Sequence, residues 1–425
     1  MAQKYYRRVC DQILLNKLEA KGAVLIKGAK WCGKTTTAVN VAKSVIYMED
    51  PERKRQYLEM ADVSPSRLLQ GDVPHLIDEW QLAPKLWDAV RFEVDKRDEF
   101  GQFILTGSAV PADTSEISHT GTGRITSLLM RPMSLFESGD SDGSVSLSAL
   151  FHQNADIDGS NQLSLEDVFY LICRGGWPKG IGKKRSVALS QAYDYYDSLV
   201  ETDISRVDGT ERDPERAKRV MRAYARNVAS EASIVSLLND VRANDFNSFS
   251  ENTLRTYLTA LRQIFVIEDA PAWNPNLRSR TAIRSSDTRY LVDPSVGTAA
   301  LGIGPDDLMN DLNTAGLFFE NMCVRDLRVY ADAIDGNLYH YRDKSGLECD
   351  SVIHLRNGKY GLVEIKLGGD RLIEEGAANL LKLRDRIDFE KMPEPSFLMI
   401  LCGVAPFAYK RKDGVLVVPI GCLRE

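Results

Sequence analysis

Residues 23–36 read Ala-Val-Leu-Ile-Lys-Gly-Ala-Lys-Trp-Cys-Gly-Lys-Thr-Thr, and this stretch decides the fold of the N-terminal part of the chain. Its apolar run, 23–27, predicts a strand, and the residues after Thr35 have helical composition. The turn between them, from Gly28 to Thr35, matches the pattern G-x-x-x-x-G-K-[ST] at every fixed position. A glycine-rich turn in this context cradles phosphates, because backbone N–H groups and the start of the following helix attract anions.

The phosphate loop predicts ATP and Mg²⁺ as ligands. Gly28 and Gly33 let the backbone close around the phosphates, Lys34 reaches the β- and γ-phosphates, and the hydroxyl of Thr35 holds Mg²⁺. The next residue, Thr36, completes the predicted nucleotide-binding set. The sequence therefore predicts an ATP-binding protein.

Downstream of the loop, the apolar run His75-Leu-Ile ends in two acids, Asp78 and Glu79. This is the form of a Walker B strand, in which Asp78 contacts Mg²⁺ through water and Glu79 orients the attacking water as the base. The pair of acids favours an ATP hydrolase. A small-molecule kinase is the less favoured alternative, since kinases also use a phosphate loop.

Two further residues are candidates for contact with the γ-phosphate. Residues 102–106 form a strand candidate, and Ser108 follows its tip, where a small hydroxyl side chain faces the nucleotide; simple turn chemistry is the alternative. Arg124 lies in the glycine-rich segment Gly-Thr-Gly-Arg. We expect its guanidinium to reach the γ-phosphate of its own or a neighbouring subunit.

The composition indicates a globular protein of several domains. The chain has 425 residues, of which 44% are hydrophobic and 27% charged, with a formal net charge of -6. A prior of roughly 150 residues per domain predicts about two to four domains, and the acidic balance excludes a uniformly basic nucleic-acid binder. The seven cysteines form no CxxC pair, and the chain carries neither a signal-peptide pattern nor a long apolar run. These features predict a cytoplasmic protein with no membrane partner.

Alternating strands and helices predict an α/β fold for the N-terminal part. Residues 73–77 are another strand candidate, and 85–96 are helical in composition, so we expect a parallel sheet covered on both faces. Residues 138–161 are rich in Ser, Asp and Gly and predict loops and a domain boundary. The segment from Asp156 to Glu166 resembles part of a calcium loop, but its glycine and glutamate are out of register, and a solvated loop is favoured.

The middle of the chain is helical in composition, and its last helix indicates a winged helix-turn-helix. Ser250 is placed to cap this helix. Four apolar residues fall on one of its faces, Leu254, Leu258, Leu261 and Ile264. A plain core helix is almost equally compatible with this pattern. A second α/β domain follows over residues 317–422, with its strands expected at 338–342, 348–355, 360–366 and 397–402.

Together these features resemble the prokaryotic AAA+ ATPases that carry a C-terminal domain of unknown function with a restriction-endonuclease-like core. The resemblance rests on short segments spread over most of the chain, namely Gly28–Thr35, Asp78–Gln81, Leu105–Ser108, Gly123–Glu137, Gly175–Pro178 and the C-terminal motif described next. It implies an AAA+ core at 1–137, a linker and helical region at 138–200, a winged helix-turn-helix at 201–295 and a nuclease-like domain at 310–425.

The resemblance draws attention to the carboxylates Asp350, Glu364 and Glu320 and to Lys366. In nuclease folds of the PD-(D/E)xK type, acids on neighbouring strands hold Mg²⁺ and a lysine positions the attacking water. Glu364 and Lys366 project on the same face of a strand, since side chains alternate. The resemblance therefore implies a metal site at Asp350 and Glu364, to which Glu320 adds a carboxylate. An inactive DNA-binding relic is the competing interpretation.

Two functions fit the sequence. The first is an ATPase whose nucleotide state controls a C-terminal domain that binds or cuts DNA. The second is a regulatory NTPase switch whose inactive C-terminal domain binds a protein partner. Homo-oligomerisation is compatible with both. A continuous basic groove around the C-terminal cluster would favour DNA.

Overall fold

A computed structural model describes residues 5–108, 120–152, 157–207, 209–243, 249–275 and 286–425. The chain divides into two compact units that are not contiguous in sequence. The first unit comprises Met1–Pro132, Glu201–Asp213 and Thr259–Val266, and the second comprises Met133–Val200, Pro214–Leu258 and Ile267–Glu425. Within the described ranges, every helix is too short or too polar to cross a membrane.

A five-stranded parallel sheet forms the centre of the first unit. Its strands are β1 Ala23–Lys27, β2 Ser44–Tyr47, β3 His75–Asp78, β4 Phe103–Gly107 and β5 Ile125–Leu129. They are arranged in the order β2-β3-β4-β1-β5, and each neighbouring pair is parallel. The predicted parallel α/β sheet is confirmed, with strand bounds that differ from the expectation by at most two residues.

Helices cover both faces of this sheet because alternate strand residues point in opposite directions. The helices of the unit are α1 Val9–Ala20, α2 Lys34–Val41, α3 Lys54–Val63, α4 Lys85–Arg97 and the short α9 Ile204–Arg206. On one face, Leu105 of β4 shares an apolar cluster with Leu86 of α4. On the other face, Ile104 clusters with Leu14 of α1 and Ala38 of α2.

The second unit combines a helical part with a second sheet. Its helices are α5 Leu135–Ser138, α6 Leu147–Phe151, α7 Leu165–Arg174, α8 Arg185–Ser198, α10 Pro214–Arg226, α11 Ile234–Arg242, α13 Pro294–Leu301, α14 Pro305–Asn310, α15 Leu312–Ala333 and α16 Asp370–Arg386. One more helix, α12 Glu251–Gln263, contributes residues to both units. The connection after α8 is a π-helical turn over Leu199–Asp203.

The sheet of the second unit is mixed. Its strands are β7 Gly159–Ser160, β8 Gly336–Arg342, β9 Glu348–Leu355, β10 Tyr360–Lys366, β11 Leu398–Cys402, β12 Phe407–Lys410 and β13 Leu416–Pro419. They are arranged in the order β7-β12-β13-β11-β10-β9-β8. A separate parallel pair joins β6 Val145–Ser146 to β14 Leu423–Arg424. Ile373 and Leu380 of α16 pack in one apolar cluster with Leu362 and Ile400 of the sheet, so α16 covers this face.

The Ser-, Asp- and Gly-rich stretch that suggested loops contains short regular elements. Gly159 lies in β7, and Gly159 and Ser160 pair with Ala408 and Phe407 of β12. Asp156, the first residue of the calcium-like pattern, lies outside the described residues.

The apolar face predicted for α12 is buried, with Leu254 and Leu258 each 1% exposed. Two antiparallel bridges follow this helix, Ile267 with Leu291 and Ala270 with Thr288. This order, with α10, α11 and α12 followed by a bridged hairpin, is compatible with a winged helix-turn-helix. The winged-helix assignment itself stays a prediction.

A buried ionic network joins separate segments of the second unit. Arg325 of α15 donates from Nη1 to Asp293 Oδ2 at 2.8 Å and from Nε to Asp326 Oδ1 at 2.8 Å. The side chains of all three residues are at most 1% exposed. The two acids also accept backbone N–H groups, Asp293 from Gly176 at 2.9 Å and Asp326 from Leu135 at 2.9 Å. The network therefore fixes segments that are distant in sequence.

The segment Gly175–Pro178, which contributes to the family resemblance, packs in the same region. Met133 N donates to Gly176 O at 2.7 Å, and a Cβ on Gly176 would lie 2.2 Å from Met133 O. Trp177 is buried and donates from Nε1 to Ser295 Oγ at 2.9 Å. These contacts give the segment a structural role, since glycine is needed where two backbones approach closely.

All seven cysteines are buried and reduced. Burial raises the pKa of Cys173 and of Cys402 to about 12. These thiols are therefore poor nucleophiles at neutral pH, because the thiolate is the reactive form.

Candidate active site

The phosphate loop follows the carboxyl end of β1 and leads into α2. Gly28 and Gly33 both have positive φ, 152° and 105°. A Cβ on Gly28 would lie 2.0 Å from Met130 O, so only glycine fits there. Lys34 is buried, and its Nζ donates to Gly28 O at 3.0 Å and to Ala29 O at 2.8 Å. The ammonium group is thus held inside the curve of the loop, where the phosphates are expected.

Arg8 and Asp203 contact the loop, and the sequence predicted neither of them. Buried Arg8 donates from Nη1 to Cys32 O at 2.8 Å and from Nη2 to Arg131 O at 2.8 Å. Lys30 Nζ lies 2.6 Å from Asp203 Oδ1. Arg8 precedes α1, and Asp203 lies far along the chain, so neither contact has a local sequence signal.

The two predicted Mg²⁺ ligands, Thr35 and Asp78, lie together. Thr35 Oγ1 donates to Asp78 Oδ1 at 2.7 Å, and Thr106 Oγ1 donates to the same oxygen at 2.6 Å. Parallel strands end at the same edge of a sheet, which is why β1, β3 and β4 deliver these groups to one place. One hydroxyl and one carboxylate fit Mg²⁺ that enters with ATP, because this ion usually takes few protein ligands alongside phosphate oxygens.

Glu79 lies beside this cluster in a left-handed conformation, with φ 56° and ψ 47°. Its backbone N–H donates to Thr106 Oγ1 at 3.2 Å. Its carboxylate oxygen Oε2 accepts from Ser108 Oγ at 3.2 Å and also from Gln81 Nε2. A left-handed non-glycine residue is uncommon and is often maintained at functional sites. Thr36, the remaining loop candidate, is exposed near the start of α2, and its role stays a prediction.

The structure places Arg124 at the wrong edge of the sheet for its own nucleotide. Arg124 directly precedes β5, whose first residue Ile125 pairs with Ala23 at the start of β1. The phosphate loop begins after the other end of β1, which at about 3.3 Å per residue is on the order of 13 Å away. Arg124 is instead 2.6 Å from Asp95, measured from Nε to Oδ1. The prediction for its own subunit is therefore wrong, because glycine-rich composition does not reveal strand register. Its contact with a neighbouring subunit stays a prediction.

In the second unit, the predicted C-terminal residues form a compact cluster. Lys366 Nζ lies 2.6 Å from Glu364 Oε2 and 3.2 Å from Asp350 Oδ2. Asp350 Oδ2 also accepts the backbone N–H of Ile365 at 2.7 Å. Glu320 of α15 accepts from Tyr290 Oη at 2.5 Å. Tyr290 was not predicted, since it lies in a different segment with no motif around it.

Burial dominates the electrostatics of this cluster. It raises the pKa of Glu320 well above its ordinary value, and the neighbouring charge of Asp350 raises it further. Burial and then Asp350 raise the pKa of Glu364 to about 8. Burial disfavours the charged form of Lys366, but Asp350 and Glu364 outweigh it and raise its pKa.

The cluster does not provide a ready metal site. In the part of the chain that the structure describes, no three His, Cys, Asp or Glu side chains are arranged to hold a metal ion. Lys366 occupies the position between Asp350 and Glu364 and supplies the positive charge there. The metal ligation predicted for these two acids therefore does not fit the present positions of the side chains.

The raised pKa of Glu364 predicts a pH-dependent stability. The native state keeps this proton up to a pH of about 8, whereas the unfolded chain releases it near the ordinary value of 4.5. The native state thus binds more protons in this window, and stability falls as pH rises through it. We expect Glu364→Gln to melt at a higher temperature than the wild type at pH 8 and to show little difference at pH 5. Each kcal/mol corresponds to roughly 2–4 °C in a domain of this size.

Thermal unfolding between pH 5 and 8 measures this effect. Glu375→Gln on α16 is the matched control, because Glu375 is 53% exposed. A difference between Glu364→Gln and wild type that stays constant across the range would contradict the prediction.

Residues 20–138 match the AAA domain family. Two further models match other parts of the chain, both described as domains of unknown function, DUF8612 at residues 165–307 and DUF4143 at residues 315–423. The AAA domain match covers the whole phosphate loop and Walker B strand and supports ATP binding and ATPase activity.

Two mycobacterial proteins are similar to most of the chain. Uncharacterised proteins of Mycobacterium tuberculosis and Mycobacterium bovis are each 25% identical over 363 residues, which cover 85% of this chain and 74% of theirs. Among solved structures, a Walker-type ATPase of Pyrococcus abyssi is 15% identical with a TM-score of 0.45, over 71% of this chain and 99% of that one.

Proposed function

We propose that this protein is a Mg²⁺-dependent ATPase whose nucleotide state controls the C-terminal domain. The observation that carries the proposal is the convergence of Thr35, Asp78 and Glu79 beside Lys34 at one edge of the AAA domain sheet. Thr35 and Asp78 would hold Mg²⁺, which supplies a positive charge that stabilises the phosphate oxygens during reaction.

Lys34, Glu79 and Ser108 each have a different role in hydrolysis. Lys34 exchanges its two carbonyl partners for phosphate oxygens, which stabilises the charge of bound ATP. Glu79 takes the proton of the attacking water, and Ser108 holds the glutamate carboxylate in place. Phosphate release from ATP, measured with and without Mg²⁺, tests the proposal. We expect release with Mg²⁺ and little or none without it; absence of release by the wild type in the presence of Mg²⁺ would refute the proposal.

For the C-terminal domain, we propose DNA as the ligand. The support is the cluster of Asp350, Glu364 and Lys366 on one sheet face together with Glu320, which matches the residue types of PD-(D/E)xK sites. Because the acids do not converge on a metal position, DNA binding is better supported than cleavage.

The DNA proposal predicts a nucleotide-dependent affinity. We expect wild type to retain DNA on filters more strongly in one nucleotide state, and Lys34→Ala to lose that dependence because it no longer binds ATP. Asp350→Ala is expected to change DNA retention or cleavage in the same assay. Equal and negligible retention of DNA in every nucleotide state would refute the proposal.

A regulatory switch with a protein partner is the second candidate, and one observation favours it. Two basic residues of the second unit are paired with acids: Arg342 lies 3.7 Å from Glu348 and Arg371 lies 3.0 Å from Glu375. Lys366 is paired with two acids as well. Such pairing reduces the positive potential that DNA phosphates require. Under this alternative, alanine at Asp350, Glu364 or Lys366 leaves function intact.

A further inference from the structure

Gln81 lies at the catalytic edge of the first unit, in a short turn over Trp80–Leu82 that directly follows Glu79. The turn is firmly held. Leu82 N donates to Glu79 O at 3.2 Å, and Trp80 is buried against Trp87 with ring centroids 5.1 Å apart. The position of the Gln81 side chain is therefore set by a rigid segment.

The contact between Gln81 and Glu79 fixes the orientation of the Gln81 amide. Gln81 Nε2 donates to Glu79 Oε2. An ionised carboxylate only accepts hydrogen bonds, so the NH₂ group must face Glu79 and the carbonyl oxygen must point away. Ser108 Oγ shares the same Glu79 oxygen at 3.2 Å, which leaves Glu79 Oε1 for another partner.

The other atom of the Gln81 amide is without a partner. Gln81 Oε1 is buried and accepts no hydrogen bond from any residue that the structure describes. A buried acceptor without a donor is unfavourable, and native structures usually resolve it with a bound water or ligand. A donor other than the protein is therefore expected at this position.

We propose that Gln81 orients the attacking water of ATP hydrolysis together with Glu79; this inference rests on the proposed ATPase function. The water donates one hydrogen to Gln81 Oε1 and the other to the Glu79 carboxylate, which directs its lone pair at the γ-phosphorus. The new bond joins the water oxygen to the γ-phosphorus, and the bond from the bridging oxygen to that phosphorus breaks with its electron pair on ADP. Glu79 accepts the proton of the water, and the products are ADP and phosphate.

The proposal explains why an amide is needed here. The Gln81 side chain must donate to Glu79 and accept from the water at the same time, and an amide does both. Glutamate at this position would have the same shape but would place a second carboxylate against Glu79. Alanine would remove both hydrogen bonds.

The test uses the full chain and compares Gln81→Ala and Gln81→Glu with wild type. We expect both variants to lower kcat by roughly tenfold or more, while KM and the Kd of a fluorescent ATP analogue change by less than about twofold, because water orientation acts in the transition state. Gln56→Ala on α3 is the matched control, since Gln56 is exposed, and its kinetics should equal those of the wild type.

The outcomes are distinguishable from a failure of the ATPase proposal. If the wild type releases no phosphate from ATP, both the ATPase proposal and the proposed role of Gln81 are refuted. If wild type is active and Gln81→Glu keeps the wild-type kcat, only the role of Gln81 is overturned. Loss of ATP binding in parallel with kcat would also overturn it, because it would indicate a structural role. Gln81→Glu keeps the test valid if Gln81→Ala fails to fold.

Discussion

Replacing Glu79 with glutamine is expected to lower kcat for ATP hydrolysis by roughly two to four orders of magnitude, the contribution of a general base. ATP should still bind, because Lys34, Thr35 and Asp78 remain in place. The glutamine amide keeps the shape of Glu79 and accepts a hydrogen bond from Ser108, but it does not take a proton at neutral pH. Phosphate release gives kcat, and equilibrium binding of a fluorescent ATP analogue gives the Kd.

The matched control for this variant is Glu59→Gln. Glu59 lies on α3, its side chain is 65% exposed, and it pairs only with the exposed Arg55 among the described residues. Its kcat should equal that of the wild type. If Glu79→Gln also hydrolyses ATP within about threefold of the wild-type rate, the assignment of Glu79 as the base is wrong.

Replacing Arg325 with methionine is expected to lower the free energy of unfolding of the second unit by about 3–5 kcal/mol. Methionine fills a similar volume but leaves Asp293 and Asp326 buried without their counter-ion. Burial already raises the pKa of Asp326 to about 6 against the opposing charge of Arg325. Loss of the guanidinium leaves the two acids with neutral hydrogen-bond donors, such as the backbone N–H groups of Gly176 and Leu135, and no positive charge.

Denaturant titration followed by a signal from the second unit measures this loss. Arg371→Met is the matched control, because the Arg371 side chain is 81% exposed and exposed ion pairs contribute about 0–1 kcal/mol. Equal unfolding midpoints for the two variants would show that the buried network does not stabilise the fold.

The sequence predicted those parts of the site that are encoded locally. The segment from Gly28 to Thr35 carries its full chemistry in consecutive residues, and the acids at 78 and 79 end an apolar strand. A parallel sheet brings the carboxyl ends of its strands to one edge, and the observed order β3-β4-β1 then places Thr35, Asp78 and Thr106 together. The C-terminal strands at 348–355 and 360–366 also have the expected bounds, and they bring Asp350 and Glu364 to Lys366.

The features that escaped prediction depend on contacts between distant segments. Arg8 contacts Cys32 and Arg131, and nothing around residue 8 indicates this. The prediction that Arg124 reaches its own nucleotide was wrong because a glycine-rich composition does not reveal strand register. Its register with β1 puts Arg124 at the far edge of the sheet. Gly175–Pro178 has no role in the proposed reaction. Its contacts with Met133 and Ser295 give the segment a role in packing.

The seven buried thiols make the natural chain a suitable background for site-specific spectroscopy. Maleimide reagents require an accessible thiolate, so the native cysteines should react slowly and need not be removed. Glu59→Cys on α3 and Glu375→Cys on α16 would each add an exposed thiol, one in each unit. A donor and an acceptor dye at these two positions would report, by energy transfer, whether ATP changes the distance between the labels.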